Sequence, residues 1–165
     1  MLKFDEQKQL DSVNGALALR GHIESIVDDI CKKGYRNICW LGIGGTYASC
    51  LQAEIHMKER SGINFYVENA AEYLVTGNRK VGEGTVVIIS SVTGSTSEMV
   101  DGVRKAQEDG AVVIGFVDVA DTKLAKMVDH LISFPLNEQL KFFMTADRFM
   151  YNAGEFDEYN ELYSE

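Results

Sequence analysis

The sequence predicts an α/β fold: a three-layer sandwich in which helices cover both faces of a five-stranded parallel sheet of order 2-1-3-4-5. Three observations carry this expectation. Short apolar runs alternate along the chain with segments of helical periodicity. The runs are continuous rather than alternating polar and apolar, as strands read when both faces are covered. Each connection is long enough to hold a helix, which a right-handed parallel crossover needs.

Residues 6–33 read as helix, broken into two near Asn14-Gly15, with Ile23, Ile26, Val27 and Ile30 as an apolar stripe and Gly34 as the C-cap. NICWLG (37–42) is the first strand. A helix over 47–60 carries Ala48, Leu51 and Ile55 on one face and ends at Ser61-Gly62. INFYVE (63–68) is the second strand, NAAEYLV a short helix, and TGNRKVGEG a polar turn region. TVVIIS (85–90) is the third strand. The helix over 96–108 turns Met99, Val100, Val103 and Ala106 inward and closes at Asp109-Gly110. AVVIGFV (111–117) is the fourth strand, and Leu124 and Met127 mark a short helix after it. HLISFP (130–135) is the fifth strand, and a helix from 137 to about 152 uses Leu140, Phe143 and Met150 as apolar positions. Trp40 and Tyr47 are assigned to core packing. The chain divides into an N-terminal helical segment (1–34), the α/β domain (35–153) and an acidic, aromatic tail (154–165). That tail is either a natural end or the edge of a piece of a longer chain, and its EFDEYNE run reads as a solvated face or a join to further chain.

Composition removes several functions. At 165 residues the chain can bury one sizeable core. A net charge of −9 disfavours nucleic acid, which wants clustered Lys and Arg, but leaves room for a small anion at helix N-termini. No apolar run approaches the roughly 20 residues of a membrane helix. The charged N-terminus MLKFDEQKQLD is no secretory signal, so the cytoplasm is the expected location. Cys31, Cys39 and Cys50 fit no zinc spacing and read as buried thiols, and His22, His56 and His130 are scattered. No metal and no cofactor are expected, and His56 reads as structural.

Two loops carry chemistry. GIGGT (42–46) follows the first strand, and SSVTGST (90–96) follows the third. In a 2-1-3-4-5 sheet those strands flank the switch point, where ligands bind beyond the carboxyl ends. Ser95 and Glu98 have the spacing of a capping box. With Ser95 as N-cap, the amides of Thr96 and Ser97 lie in the first turn and attract an anion. Ser91, Thr93 and Thr96 add hydroxyls, and Gly94 lets the backbone turn around a ligand. Gly44 and Gly45 permit close approach from the other side, with Thr46 contributing a hydroxyl. A phosphate has enough acceptor oxygens to use these donors.

The pair GIGGTYAS and SSVTGSTSEMV resembles the sugar isomerase (SIS) domain, a phosphosugar-binding module. The likeness covers roughly residues 32–135, including the ENAAEYL segment. Members show a Gly-Thr-Ser-like loop after the first strand, where Thr46 matches the hydroxyl position. They show Ser-x-Ser-Gly-x-Thr after the third, here Ser91-Val92-Thr93-Gly94-Ser95-Thr96, with Thr93 in place of the second Ser. Many glucosamine-6-phosphate synthases of the family have Gln where Val92 stands. KFFMTADRFMYNAGEFDEY looks closer to fructosamine-6-phosphate deglycase-like proteins, which carry two SIS domains in one chain. The resemblance implies a SIS-like fold and a ligand such as fructose 6-phosphate or fructosamine 6-phosphate, bound by Gly44, Gly45, Thr46, Ser91, Thr93, Gly94, Ser95 and Thr96. It further implies part of a phosphosugar isomerase or deglycase with catalytic residues partly outside this chain, and a homodimer or pairing with a second SIS domain.

Proton transfer beside a sugar carbonyl suits a carboxylate or His. Glu72, in NAAEYL after the second strand, is the local candidate. Two other readings stay open. A dinucleotide-binding oxidoreductase domain would use GIGGTY and Glu68 at the end of the second strand, although Tyr47 stands where a third glycine belongs. A sugar-phosphate-sensing regulatory domain would share the same loops without catalysis.

Overall fold

The computed structural model describes residues 4–164; residues 1–3 and 165, the outer ends of the predicted N-terminal segment and tail, lie outside the described residues. The elements run α1 (Glu6–Leu17), α2 (Arg20–Lys33), β1 (Asn37–Gly42), α3 (Gly45–Arg60), β2 (Phe65–Asn69), α4 (Ala70–Thr76), β3 (Thr85–Ser91), α5 (Ser97–Glu108), β4 (Val112–Val117), α6 (Lys123–Met127), β5 (His130–Ile132), α7 (Glu138–Asn152) and α8 (Tyr159–Leu162). The five strands pair in the predicted order β2-β1-β3-β4-β5, all parallel.

Strand alternation divides the core between two faces. Ile38, Trp40, Val86, Ile88, Ile114 and Phe116 point to the layer of α2, α3, α7 and α8. Cys39, Leu41, Val87, Ile89, Val113 and Val117 point to that of α4, α5 and α6. Every residue of β1 and β3 is buried, which is why neither strand alternates in sequence. On the first face Trp40 meets Phe142 edge-on at 4.6 Å, and Phe142 meets Phe116 at 5.0 Å, so α7 is held by aromatic packing. Two of the cysteines, Cys39 and Cys50, are fully buried thiols, and burial pushes Cys50 up to about 12.

Several boundaries move. The first helical break falls at Ala18-Leu19 rather than Asn14-Gly15. Gly15 sits inside α1 because Phe134 fills the space beside it: an added Cβ would lie 2.1 Å from the ring. Its glycine therefore serves packing, not helix termination. β5 ends at Ile132, three residues before the predicted limit at Pro135. The stripe of Ala48, Leu51 and Ile55 on α3 faces outward, whereas Cys50, Ala53 and Met57 face the core.

The described acidic residues of the tail are exposed, as expected of a solvated face, but its tyrosines anchor it. Tyr159 and Tyr163, one helical turn apart, are buried in the core with α2 and α7. The Tyr163 hydroxyl donates to Asp147 Oδ2 at 2.6 Å, and His56 Nε2 lies 2.5 Å from Asp147 Oδ1. His56 is thus a structural partner of a buried carboxylate. The N-terminal helices and the tail join the same core as the sheet.

Candidate functional site

The carboxyl ends of β1 and β3 open into a cleft of about 470 Å³, lined by Ile43, Gly45, Thr46, Ser90, Ser91, Val92, Thr93, Thr96, Met99 and Glu138. This is the switch point, and the volume suits a small ligand. A second cavity at the amino edge of the sheet, beside Tyr35 and His130, measures about 90 Å³ and would hold only a few waters.

The two predicted loops meet across the cleft. Gly45, Thr46, Ser91, Thr93 and Thr96 line it, whereas Gly44, Gly94 and Ser95 do not. Gly44 precedes α3 as its N-cap with φ 56° and is exposed. Gly94 turns away from the cleft at φ 65°, and a Cβ there would lie 2.2 Å from Thr122 Oγ1. Its carbonyl accepts from the Leu124 amide at 3.3 Å, which anchors the loop to α6. Ser95 is exposed, and its amide donates to Thr93 Oγ1 at 3.4 Å. The capping box of Ser95 and Glu98 does not form, because the N-cap is Thr96, one residue later. Glu98 instead accepts from the Ser97 hydroxyl at 2.9 Å.

Not every hydroxyl is free for a ligand. Ser91 Oγ accepts from the Gly94 amide at 2.9 Å, so it holds the turn as well as facing the cleft. Thr46 Oγ1 donates to the Ile43 carbonyl at 2.8 Å and accepts from the Ile43 amide at 3.1 Å, closing the first loop on itself.

Side-chain caps divide the helices, and α2 and α8 are among those without one. α1, α4, α6 and α7 each have a side-chain cap, from Asp5, Asn69, Thr122 and Asn137. α3 and α5, whose first turns border the cleft, have none. The Thr46 amide of α3 donates to the Ile43 carbonyl at 3.2 Å, no side chain caps the other leading N–H groups, and both dipoles present positive ends there. Among the described residues no Lys or Arg lines the cleft. The positive ends that line the cleft itself are therefore backbone.

A family model for the SIS domain matches residues 33–146. The chain belongs to the SIS domain family. This SIS domain is 27% identical over 110 residues to the isomerizing glutamine–fructose-6-phosphate aminotransferase of Sulfurisphaera tokodaii, covering 67% of this chain and 18% of that protein. Its fold matches a Bacillus subtilis protein assigned as a phosphosugar isomerase at TM-score 0.80, with 17% identity, over 91% of this chain and 49% of that one. It also matches the C-terminal domain of a Francisella tularensis glucosamine–fructose-6-phosphate aminotransferase at TM-score 0.77, with 13% identity, over 95% of this chain and 49% of that one. The SIS domain thus spans a fifth or less of the curated relative and about half of these two solved chains.

Two acidic residues singled out in the sequence lie elsewhere in the SIS domain. Glu72 is exposed on α4, and its amide is capped by Asn69 Oδ1 at 3.4 Å; it does not line the cleft. Glu68 accepts from Asn78 Nδ2 at 2.5 Å, so the acid that a dinucleotide reading needs is already engaged. The sequence reading missed Ser90 Oγ as a polar anchor and Glu138 altogether. Ser90 Oγ donates to Glu138 Oε1 at 2.5 Å. Glu138 opens α7, which follows β5, two strands beyond β3 in the sheet. The switch-point rule directs attention to β1 and β3, and only the packing of α7 across the sheet brings this carboxylate to the cleft. A sequence cue existed in Asn137-Glu138, an N-cap followed by an acid at a strand-to-helix junction.

Proposed function

We propose that this chain binds a sugar phosphate in the cleft between β1 and β3, as part of a cytoplasmic phosphosugar isomerase or fructosamine-6-phosphate deglycase. The observation that carries the reading is the convergence of two uncapped helix N-termini and the Ser/Thr loop on one cleft. The phosphate sits on the first turn of α5, with Thr96 and Thr93 as hydroxyl donors and Gly45 and Thr46 closing the opposite wall. Gly44, Gly94 and Ser95 shape the two loops rather than touch the ligand. The names of the relatives, phosphosugar isomerase and fructose-6-phosphate aminotransferase, fit this ligand class. The chain works in a pair, either with a second copy or with a second SIS domain.

Calorimetric titration with fructose 6-phosphate, glucosamine 6-phosphate, inorganic phosphate and NAD tests the reading. A sugar phosphate should bind and NAD should not. Thr96→Val should keep the fold, because Thr96 makes no side-chain cap. It should weaken the sugar phosphate about tenfold, the order expected for one lost charge-assisted hydrogen bond. Unchanged affinity would show that the phosphate lies elsewhere.

A further inference from the structure

Phosphate binding leaves one ionisable group of the cleft without a task. Glu138 lines the cleft, is half-buried, and is the carboxylate among hydroxyl and apolar neighbours. Ser90 holds its Oε1 at 2.5 Å, and Oε2 takes no hydrogen bond among the described residues. One oxygen is thus fixed and the other is open, which is the arrangement of a carboxylate positioned to move a proton.

Beneath it the fold buries a positive charge. Lys141, one helical turn further along α7, is 1% exposed. Its Nζ donates to the Phe134 carbonyl and lies 3.8 Å from Asp118 Oδ1. Phe134 in turn packs against Gly15 of α1. The segment that presents Glu138 is therefore tied down twice, by an ammonium from below and by α1 from the side. An unpaired buried ammonium would be costly, so this one points to a constraint on its neighbours.

We propose that Glu138 is the proton-transfer residue of this site and that Lys141 is the positioning residue that holds it in place. The assignment rests on the phosphosugar reading and deepens it. With a ketose phosphate bound, Glu138 takes a proton from the carbon beside the carbonyl. The C–H bond breaks, its electron pair becomes the C=C bond of an enediolate, and the carbonyl π pair moves onto oxygen. The protonated carboxyl then returns the proton to the same carbon, or to the neighbouring one while the hydroxyl proton passes from one oxygen to the other, so no oxidant or reductant is consumed.

Charge around Glu138 comes from three elements. Lys141 lies on its own helix, Asp118 follows β4, and Cys50 lies on α3. Burial pushes the Cys50 thiol up to about 12, so it stays neutral. Burial lowers the Lys141 ammonium and raises Asp118, while each stabilises the other's charge.

The test combines calorimetry with exchange of the carbon-bound protons of fructose 6-phosphate in D2O, followed by NMR on the full chain. The wild type should bind and exchange. Glu138→Gln should keep affinity within about threefold and lose exchange by about 10²-fold or more, and Glu138→Asp should restore part of the rate. Lys141→Met should slow exchange by about tenfold or more while affinity stays within about threefold, because Glu138 is no longer held in place. If that variant does not fold, Lys141→Arg should exchange at a rate between wild type and Glu138→Gln, and a wild-type rate would show that Lys141 does not position the carboxylate. Wild-type exchange rates in Glu138→Gln, or a wild type that binds fructose 6-phosphate without exchanging any proton, would overturn the assignment. An absence of wild-type binding would overturn the phosphosugar reading first, and this assignment with it, before any variant is made.

Discussion

Gly94 concentrates the demands of the site in one residue. Its φ of 65° lies in the left-handed region, and the space where a Cβ would go is taken by Thr122. Gly94→Ala is expected to cost about 1–3 kcal/mol through backbone strain alone, with the clash added to it. Chemical denaturation should show the loss, and sugar-phosphate affinity should fall with it because Thr93 and Thr96 flank the turn. Wild-type stability would mean that the turn is not constrained as described. Gly94 was legible from sequence as a turn residue, and Ser91, Thr93 and Thr96 as hydroxyls near a helix start. The capping box was not, since a four-residue spacing cannot reveal that the turn rotates Ser95 to solvent and delays the helix to Ser97. Glu138 was hidden for another reason: its partner Ser90 is 48 residues away in the chain, and only tertiary packing joins them.

At the scale of elements, strands were read more accurately than helix junctions. β1 and β3 announce themselves because complete burial writes a continuous apolar run. The α1–α2 junction misleads because Gly15 reads as a breaker, when the residue is small to admit Phe134. The tail misleads because its acidic residues mask two tyrosines spaced for one helix face.

The packing of α2 on α7 also carries a pH dependence. Asp28 Oδ1 accepts from Arg148 Nε at 2.8 Å and Oδ2 from Nη2 at 2.7 Å, a bidentate pair joined by Asn152. The guanidinium holds the Asp28 carboxyl below its ordinary value. A depressed carboxylate adds stability above its unfolded pKa of about 4 and loses it as pH falls through the lower folded value. Asp28→Asn should therefore unfold at lower urea than wild type at pH 7, and the gap should close as the pH drops below about 4. A gap that is constant with pH would assign the effect to packing rather than charge. Asp118 has the opposite sign: burial raises it, so its ionisation opposes folding as pH rises past the ordinary carboxylate range.

For the molecule as a whole, the outward stripe of α3 is the feature that a single copy leaves unused. Leu51 and Ile55 are 38% and 59% exposed and lie one turn apart beside Ala48. Adjacent exposed apolar side chains on one helix fit a protein–protein contact. Light scattering should report a dimer of this chain, and Leu51→Glu with Ile55→Glu should give a monomer of unchanged helix content. A monomer at high concentration in the wild type would remove the self-pairing form of the proposal.

The strand order has a consequence for how the chain is made. β2 adds to one side of β1, and β3, β4 and β5 then add in turn to the other. No strand must be threaded between two that are already paired, so a nascent chain can extend its sheet outward as it leaves the ribosome. The face bearing Trp40 and Phe116 waits longest, because Phe142 on α7 covers it only after all five strands have been made. Until then the most aromatic surface of the protein is open, and that interval is when a chaperone would have most to hold.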